Sequence, residues 1–529
     1  MARKIQNIKP KQVVDTVADV APENLAATAS NFIEFLINDP TTANLVDRLP
    51  LSQVNTSLFN VAGYVGPNTN RTVNAGIAAN CCGVLNYDMV NVYNKYADIK
   101  ISKWAAVKTL LINPVAGNMA NAFYDRNSLK FFHFQGQGKA GRVYTALSAD
   151  VISHELGHAI LDFLRPEFWS TASLEIFAFH EAFGDVFAFL SGLHHDAMIN
   201  EAIKQTSGNL FETSVASKIG EQFGLGLGMN GYLRNVDNDF KYVKPNTLPS
   251  NSPNENVLTK EPHNFSRVIS GVVYRIFAEI YNSNGKNKDA LIAARDFTRN
   301  LFFKAARLTP ATSDFCIGFG RIMSSTAKIL NPAYSVIVDR VLKDRNFLSV
   351  PAMAANCIGN DNRMMINEEI HQDFKINIYE HIVSLDDIIE TDKHKCLSGV
   401  KLKVPCDDIM FDDNRFGMQK SDMLSSIECA TEAVTYLIEK NLINDTWKVN
   451  ADNVLERDHI RCDGFINNCT VEGQPEYGKC WKYATSGCGC GGPYGCAPEP
   501  KKVEKPVENF CGANYSIRCA NTRTSACRG

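Results

Sequence analysis

The 529-residue chain lacks most of the features that assign a protein quickly. It has no basic surplus: 54 lysines and arginines stand against 57 acidic residues, and the basic ones are spread along the chain. That excludes a nucleic-acid face or a basic membrane-binding surface as the working part. The first residues, "MARKIQNIKPKQVVDTVADVAPENL", have no apolar run behind their few charges, so the pattern is not that of a typical secretory signal. No long hydrophobic stretch is free of charge. The most apolar one, Leu174 to Leu193, carries Glu175, His180, Glu181 and Asp185, each expensive in lipid. It reads as a buried helix, with no membrane span. Cysteine is scarce before residue 390, where only Cys81, Cys82, Cys316 and Cys357 occur, and no C-x-x-C pair occurs anywhere.

What is present is unevenly placed. Nine of the 16 cysteines fall between Cys462 and Cys527. Without paired C-x-x-C turns, a disulfide framework is the better reading than zinc knuckles. That framework favours a secreted destination, which conflicts with the absence of a signal pattern, so a cytoplasmic location stays open.

Residues 1–50 read as a polar leader with one or two amphipathic helical turns in "NLAATASNFIEFLIND". Short alternating runs such as "SLKFFHF" make 51–149 strand-rich, and long periodic apolar segments make 150–348 helical. "GLGLGMNG" interrupts the helices. No Lys-Ser/Thr follows it, so it reads as a flexible connection and not a phosphate loop. Residues 349–455 form a mixed accessory region with a helix expected in "SDMLSSIECATEAVTYLIEKNL", and 456–529 the cysteine-rich tail. The fold class expected is α+β.

Chemistry concentrates in "VISHELGHAILDF". Positions i and i+4 share a helix face, so His154 and His158 can aim two imidazoles at one ion with Glu155 beside them. Two helix histidines satisfied by ordinary hydrogen bonds would be the plainer reading. A catalytic zinc needs a third protein ligand and an open position. Glu181 supplies a carboxylate on a helix otherwise built of Phe, Ala and Val, where burial is costly unless the charge is neutralised. Asp185, one turn on, is placed to hold the second ring nitrogen of a ligating histidine.

With these residues in order, the chain resembles the thermolysin family of zinc metallopeptidases over about residues 60–348. "MANAFYDRNSLKFFHFQGQG" is similar to that family's edge strand, and "GYLRNVDNDFKY" to its Arg-bearing segment. "PHNFSRVISGVVYRIF" is similar to its His-x-Asn-Ser helix start, and "RLTPATSDFCIGFGRIM" to its C-terminal helical stretch. The resemblance implies two lobes, strand-rich and helical, with the metal between them. It implies Zn2+ on His154, His158 and Glu181, with Glu155 as general base and Asp185 behind a ligand. His263 would donate to the carbonyl oxygen as it gains charge, Arg234 would bind the carbonyl after the scissile bond, and Asn121 with Ala122 would hold the peptide. Partners would be protein or peptide substrates.

Departures from the pattern are equally specific. The insert between His158 and Glu181 is longer than the family's and offers Trp169 where the family has an assisting tyrosine. His180 stands where an asparagine precedes the third ligand. Asp150 matches a position used for structural Ca2+, but the acidic loop that completes such a site is not evident; Gly192 and His194 to Asp196 lie roughly where it would start. The reading is a zinc-dependent endopeptidase. Its rivals are another zinc hydrolase such as an exopeptidase, and a non-catalytic binding or adhesion protein with a structural zinc site.

Overall fold

A computed structural model describes residues 31–348, apart from 65, 67–71, 253 and 255. Beyond these it describes 381–391, 394, 397–405, 426–440, 442–443, 447–450 and 452–457. The cysteine-rich tail past 457, with the disulfides expected there, lies outside the described residues. So does the leader before 31. The four described cysteines, Cys81, Cys82, Cys316 and Cys429, are buried free thiols.

The chain is mixed, with both helices and small sheets: an α+β fold. The first strands, β1 (Phe32–Leu36) and β2 (Val46–Pro50), form an antiparallel pair. This corrects the helical turns expected in "NFIEFLIND". Ile33 and Phe35 point inward while Phe32, Glu34 and Leu36 are more exposed, a period of two that suits a strand. Helix α1 (Val73–Tyr87) packs on β1, and Phe35 and Leu49 join the main core, so residues 31–50 belong to the fold and are no leader.

Next come β3 (Phe59–Val61), β4 (Leu110–Asn113), β5 (Ala122–Tyr124) and β6 (Ser128–Phe131), which form one sheet in the order β3-β4-β6-β5. Strands β3, β4 and β6 are parallel, while β5 runs antiparallel at the edge. β7 (His133–Gln135) and β8 (Arg142–Tyr144) pair beside it.

The helical part opens with α2 (Ala149–Leu164) and α3 (Leu174–Gly192), followed by α4 (Asp196–Thr206), β9 (Lys218–Ile219), α5 (Glu221–Gly226) and β10 (Arg234–Asn235). It closes with α6 (Pro262–Ser283), α7 (Lys288–Leu308), α8 (Phe315–Leu330) and α9 (Pro332–Asp344). α3 is the central rod, buried from Leu174 to Ser191. Its phenylalanines Phe179 and Phe183 meet Phe302, Phe315 and Phe319 of α7 and α8 edge-on or tilted. This is the buried helix that its apolar composition predicts. Among the described residues no single helix is long and apolar enough to cross a membrane. The "GLGLG" segment is not a loose connection. Its first residues belong to α5, and a Cβ on Gly224 would sit 2.1 Å from the Tyr232 carbonyl carbon, so glycine is needed for close backbone approach.

The accessory region forms a second sheet from β11 (His381–Ser384), β12 (Lys401–Val404), β13 (Trp447–Val449) and β14 (Val454–Arg457), ordered β11-β12-β14-β13. Its helix, α10 (Ser426–Glu439), falls within the segment where one was expected. This region has its own core, and that core includes Ala172, Leu174 and Phe177 at the start of α3. The Ala172 N–H donates to the Lys403 carbonyl (3.0 Å), and Phe177 packs against Trp447.

Candidate metal centre

Two adjacent helices carry the heart of the site. α2 begins after Ser148 with Asp150 in its first turn, and Ser173 caps α3 by accepting from the Ile176 N–H. They cross where both lack side chains: a Cβ on Gly157 would lie 2.9 Å from the Gly184 Cα. The crossing brings His154, Glu155 and His158 of α2 against Glu181 and Asp185 of α3.

Glu181 Oε2 lies 3.5 Å from His154 Nε2 and 3.8 Å from His158 Nε2, and the three donor atoms fall within 4.8 Å of one another. Donors about 2.0–2.1 Å from a tetrahedral zinc stand about 3.3 Å apart, so these residues suit that ion in both chemistry and spacing. Asp185 Oδ1 is 2.9 Å from His154 Nδ1, which leaves Nε2 facing Glu181. His158 differs: its Nδ1 is buried with no hydrogen bond, as are both ring nitrogens of the neighbouring His180.

The electrostatics follow from burial among carboxylates. Burial alone would lower the His154 pKa, but Asp185 and Glu181 outweigh it and raise it to about 9. The two carboxylates that favour a proton on this ring also favour a cation at its outer nitrogen. His158 is dominated by burial, which pushes it down to about 3 and keeps it a neutral donor. Burial raises Glu155 to about 7, tempered by the cationic neighbours His154, Arg234 and His263. Asp185 resists its own burial because Arg234 and His154 hold it ionised, down to about 2.

The remaining expected residues also arrive. Arg234, in the short strand β10, forks onto Asp185 with contacts of 2.7, 2.8 and 3.1 Å, and its Nη2 comes 3.4 Å from His154 Nδ1. It therefore braces the carboxylate behind the ligand. His263 sits in the first turn of α6 with Nε2 3.1 Å from Glu181 Oε2. Asn121 and Ala122 lie at the start of edge strand β5, which is tied to α2 by Tyr124: its hydroxyl donates to Asp162 Oδ2 (2.9 Å). The Asn121 side-chain nitrogen is buried without a hydrogen bond. All nine expected residues are buried.

Sequence reasoning missed three groups. Glu261 caps α6 through the backbone N–H groups of His263 and Asn264, and its Oε1 lies 2.8 Å from His263 Nδ1, so it orients that ring. An acidic residue before Pro-His at a helix start was the available signal. Arg457, from the accessory sheet, brings Nη2 to 4.0 Å from Glu181 Oε1. Nothing local marks it.

The third is a carboxylate cluster around Asp150. Asp39 and Glu221 join it, with oxygens of all three within 4.8 Å of one another. Asp39 Oδ2 and Glu221 Oε2 are buried without hydrogen bonds, and among the described residues no lysine or arginine pairs with any of the three. Burial raises all three pKa values, and mutual repulsion adds to it at Asp150, held at about 7, and at Glu221. The segment from His194 to Asp196, roughly where a completing loop would start, pairs elsewhere: His194 with Arg299, His195 with Asp47 and Asp196 with Lys288.

No protein-family model matches this chain, and no curated protein matches it. The functional reading rests on the residues of the site.

Proposed function

We propose that the protein is a zinc-dependent endopeptidase of the thermolysin type, with a strand-rich N-terminal lobe and a helical lobe flanking the metal centre. One observation carries the reading: His154, His158 and Glu181 converge at zinc-ligand spacing, with Glu155 buried next to His154 on α2. Glu155 is not needed to hold an ion, and a purely structural site would more often close with a fourth cysteine or histidine.

Zinc on His154, His158 and Glu181 would polarise the scissile carbonyl and make a water more acidic. Glu155 takes the proton from the attacking water and delivers it to the leaving amine. His263, oriented by Glu261, donates to the carbonyl oxygen as it gains charge. Arg234 fixes Asp185, and Asp185 fixes the His154 ring. Edge strand β5 carries no strand on its outer side among the described residues, so an extended substrate can pair with it from Ala122 onward, with Asn121 at its end. The cluster of Asp39, Asp150 and Glu221 offers a second, all-oxygen site suited to Ca2+.

The test is peptide hydrolysis and metal content on one sample of the full-length protein. Wild type should hold about one zinc per chain and cleave casein. Glu155→Gln should keep the zinc and lose roughly 100-fold or more in kcat. Zinc bound with no cleavage by wild type, or full activity in Glu155→Gln, rejects the proposal.

A further inference from the structure

Three buried nitrogens beside the candidate metal centre make no hydrogen bond: Nδ1 of His158 and both ring nitrogens of His180. The two rings are neighbours, with centres 5.7 Å apart and planes tilted by 32°. His180 is wholly buried on α3, one residue before Glu181. It also meets Trp169 edge to face, with centres 5.5 Å apart, and burial holds its ring neutral. A polar ring in this place opposes folding, because a buried donor or acceptor left unpaired is unfavourable. The phenylalanines of the same helix fill their space without that penalty.

An ion at the centre changes what each ring needs. His158 Nε2 faces Glu181 Oε2 at 3.8 Å, so an ion shared with Glu181 takes that nitrogen. A neutral imidazole has a single N–H, and with Nε2 on the ion the hydrogen must sit on Nδ1. Nδ1 is then a buried donor in need of an acceptor, and the ion's charge on the same ring strengthens it as a donor. His154 has this already: its Nδ1 lies 2.9 Å from Asp185 Oδ1. For His158 the neighbouring group with a bare nitrogen is His180. Rotation about the Cβ–Cγ bond of an imidazole is soft, so the rings can turn toward each other within the fixed crossing of α2 and α3.

We propose that His180 is a positioning residue for the metal: its unprotonated nitrogen accepts a hydrogen bond from His158 Nδ1–H when the ion is bound. That bond fixes the tautomer and the ring plane of His158, as Asp185 fixes those of His154. His180 does not touch the ion, and its own N–H stays on its second nitrogen. The inference rests on the metal reading above and is independent of the peptide chemistry.

The experiment measures zinc affinity, by competition with a chelator, and the unfolding temperature of the metal-free protein. It compares full-length wild type with His180→Met, His180→Gln and His180→Asn. Methionine and glutamine have the same length, but only glutamine carries a strong acceptor. His180→Met should bind zinc about 10–100-fold more weakly. Its metal-free unfolding temperature should stay level or rise, because the unpaired nitrogens are gone. At least one amide variant should recover most of the lost affinity. A histidine that only fills space would give no gap in affinity between methionine and the amides at equal stability.

Equal zinc affinity in wild type and His180→Met overturns the proposal, and so does a loss that neither amide variant recovers. If His180→Met does not fold, His180→Phe takes its place and is judged by the same two readouts. Wild type that binds no zinc rejects the metal reading itself, a result distinct from a zinc protein indifferent to residue 180.

Discussion

Gly184 touches the His154 ring: a Cβ added to the glycine would lie 2.6 Å from His154 Nδ1, where nothing but hydrogen fits. The helix crossing and the candidate metal site are thus one contact. Gly184→Ala should push α3 away from α2, destabilise the fold by about 1–3 kcal/mol and weaken zinc binding. Chemical denaturation and metal titration of the same variant check it. Normal zinc affinity would show that the crossing does not set the ligand geometry.

Asp185 serves two partners, so its removal should cost twice. Asp185→Ala frees the His154 ring, for an expected 10–100-fold loss of zinc affinity. It also leaves the Arg234 guanidinium buried without its carboxylate, for about 3–5 kcal/mol of stability. The double variant Asp185→Ala/Arg234→Met should regain much of the stability and little of the affinity. Simple additivity of the two stability losses would show that the pair is not coupled.

The cluster of Asp39, Asp150 and Glu221 should respond to calcium. Millimolar Ca2+ should raise the unfolding temperature relative to a chelator. Asp39→Asn should abolish that rise while stabilising the protein in chelator, because one source of buried repulsion is gone. An identical calcium response in wild type and Asp39→Asn would remove the cluster as its origin.

Acid should stabilise part of this fold. Burial raises Asp88 and Glu175 to about 7, from ordinary values of 3.8 and 4.5, only partly offset by hydrogen bonds from Ser153 and from Cys316 and Tyr242. The folded protein therefore holds protons that the unfolded chain has released, a contribution complete below about pH 4 and lost as pH rises through 7. Each group is worth on the order of 3 kcal/mol across that window. Asp88→Asn, which keeps an acceptor for Ser153, should flatten the decline in unfolding free energy between pH 5 and 7. An unchanged slope would refute the assignment.

The convergence of His154, His158 and Glu181 was legible because its information is local. Histidines four apart must share a face of α2, and a glutamate among phenylalanines on α3 needs a reason to be buried. What escaped depends on distant segments. Asp39 and Glu221 each look ordinary, and only the packing of the β1–β2 pair and α5 against α2 gathers them around Asp150. Arg457 sits almost 300 residues after Trp169, with a hydrogen-bond separation of 288 positions, and no periodicity connects them. "NFIEFLIND" was misread because five residues fit a strand or a helix turn equally well by apolar content. Pairing with β2 chose the strand. The segment "SLKFFHF" does fall in strands, β6 and β7, and α10 lies within its expected helix, because each is decided by nearby residues.

The start of α3 shares its core with the accessory sheet, through Ala172, Leu174 and Phe177. A gene cut after residue 348 would therefore not yield a freestanding smaller protein. It would bare three apolar side chains, two turns from Glu181, on a molecule that then has an adhesive face. Such a product should clump in the test tube whatever its chemistry, and its silence would say nothing about catalysis. The boundary that matters for expression lies beyond β14, not at the end of α9.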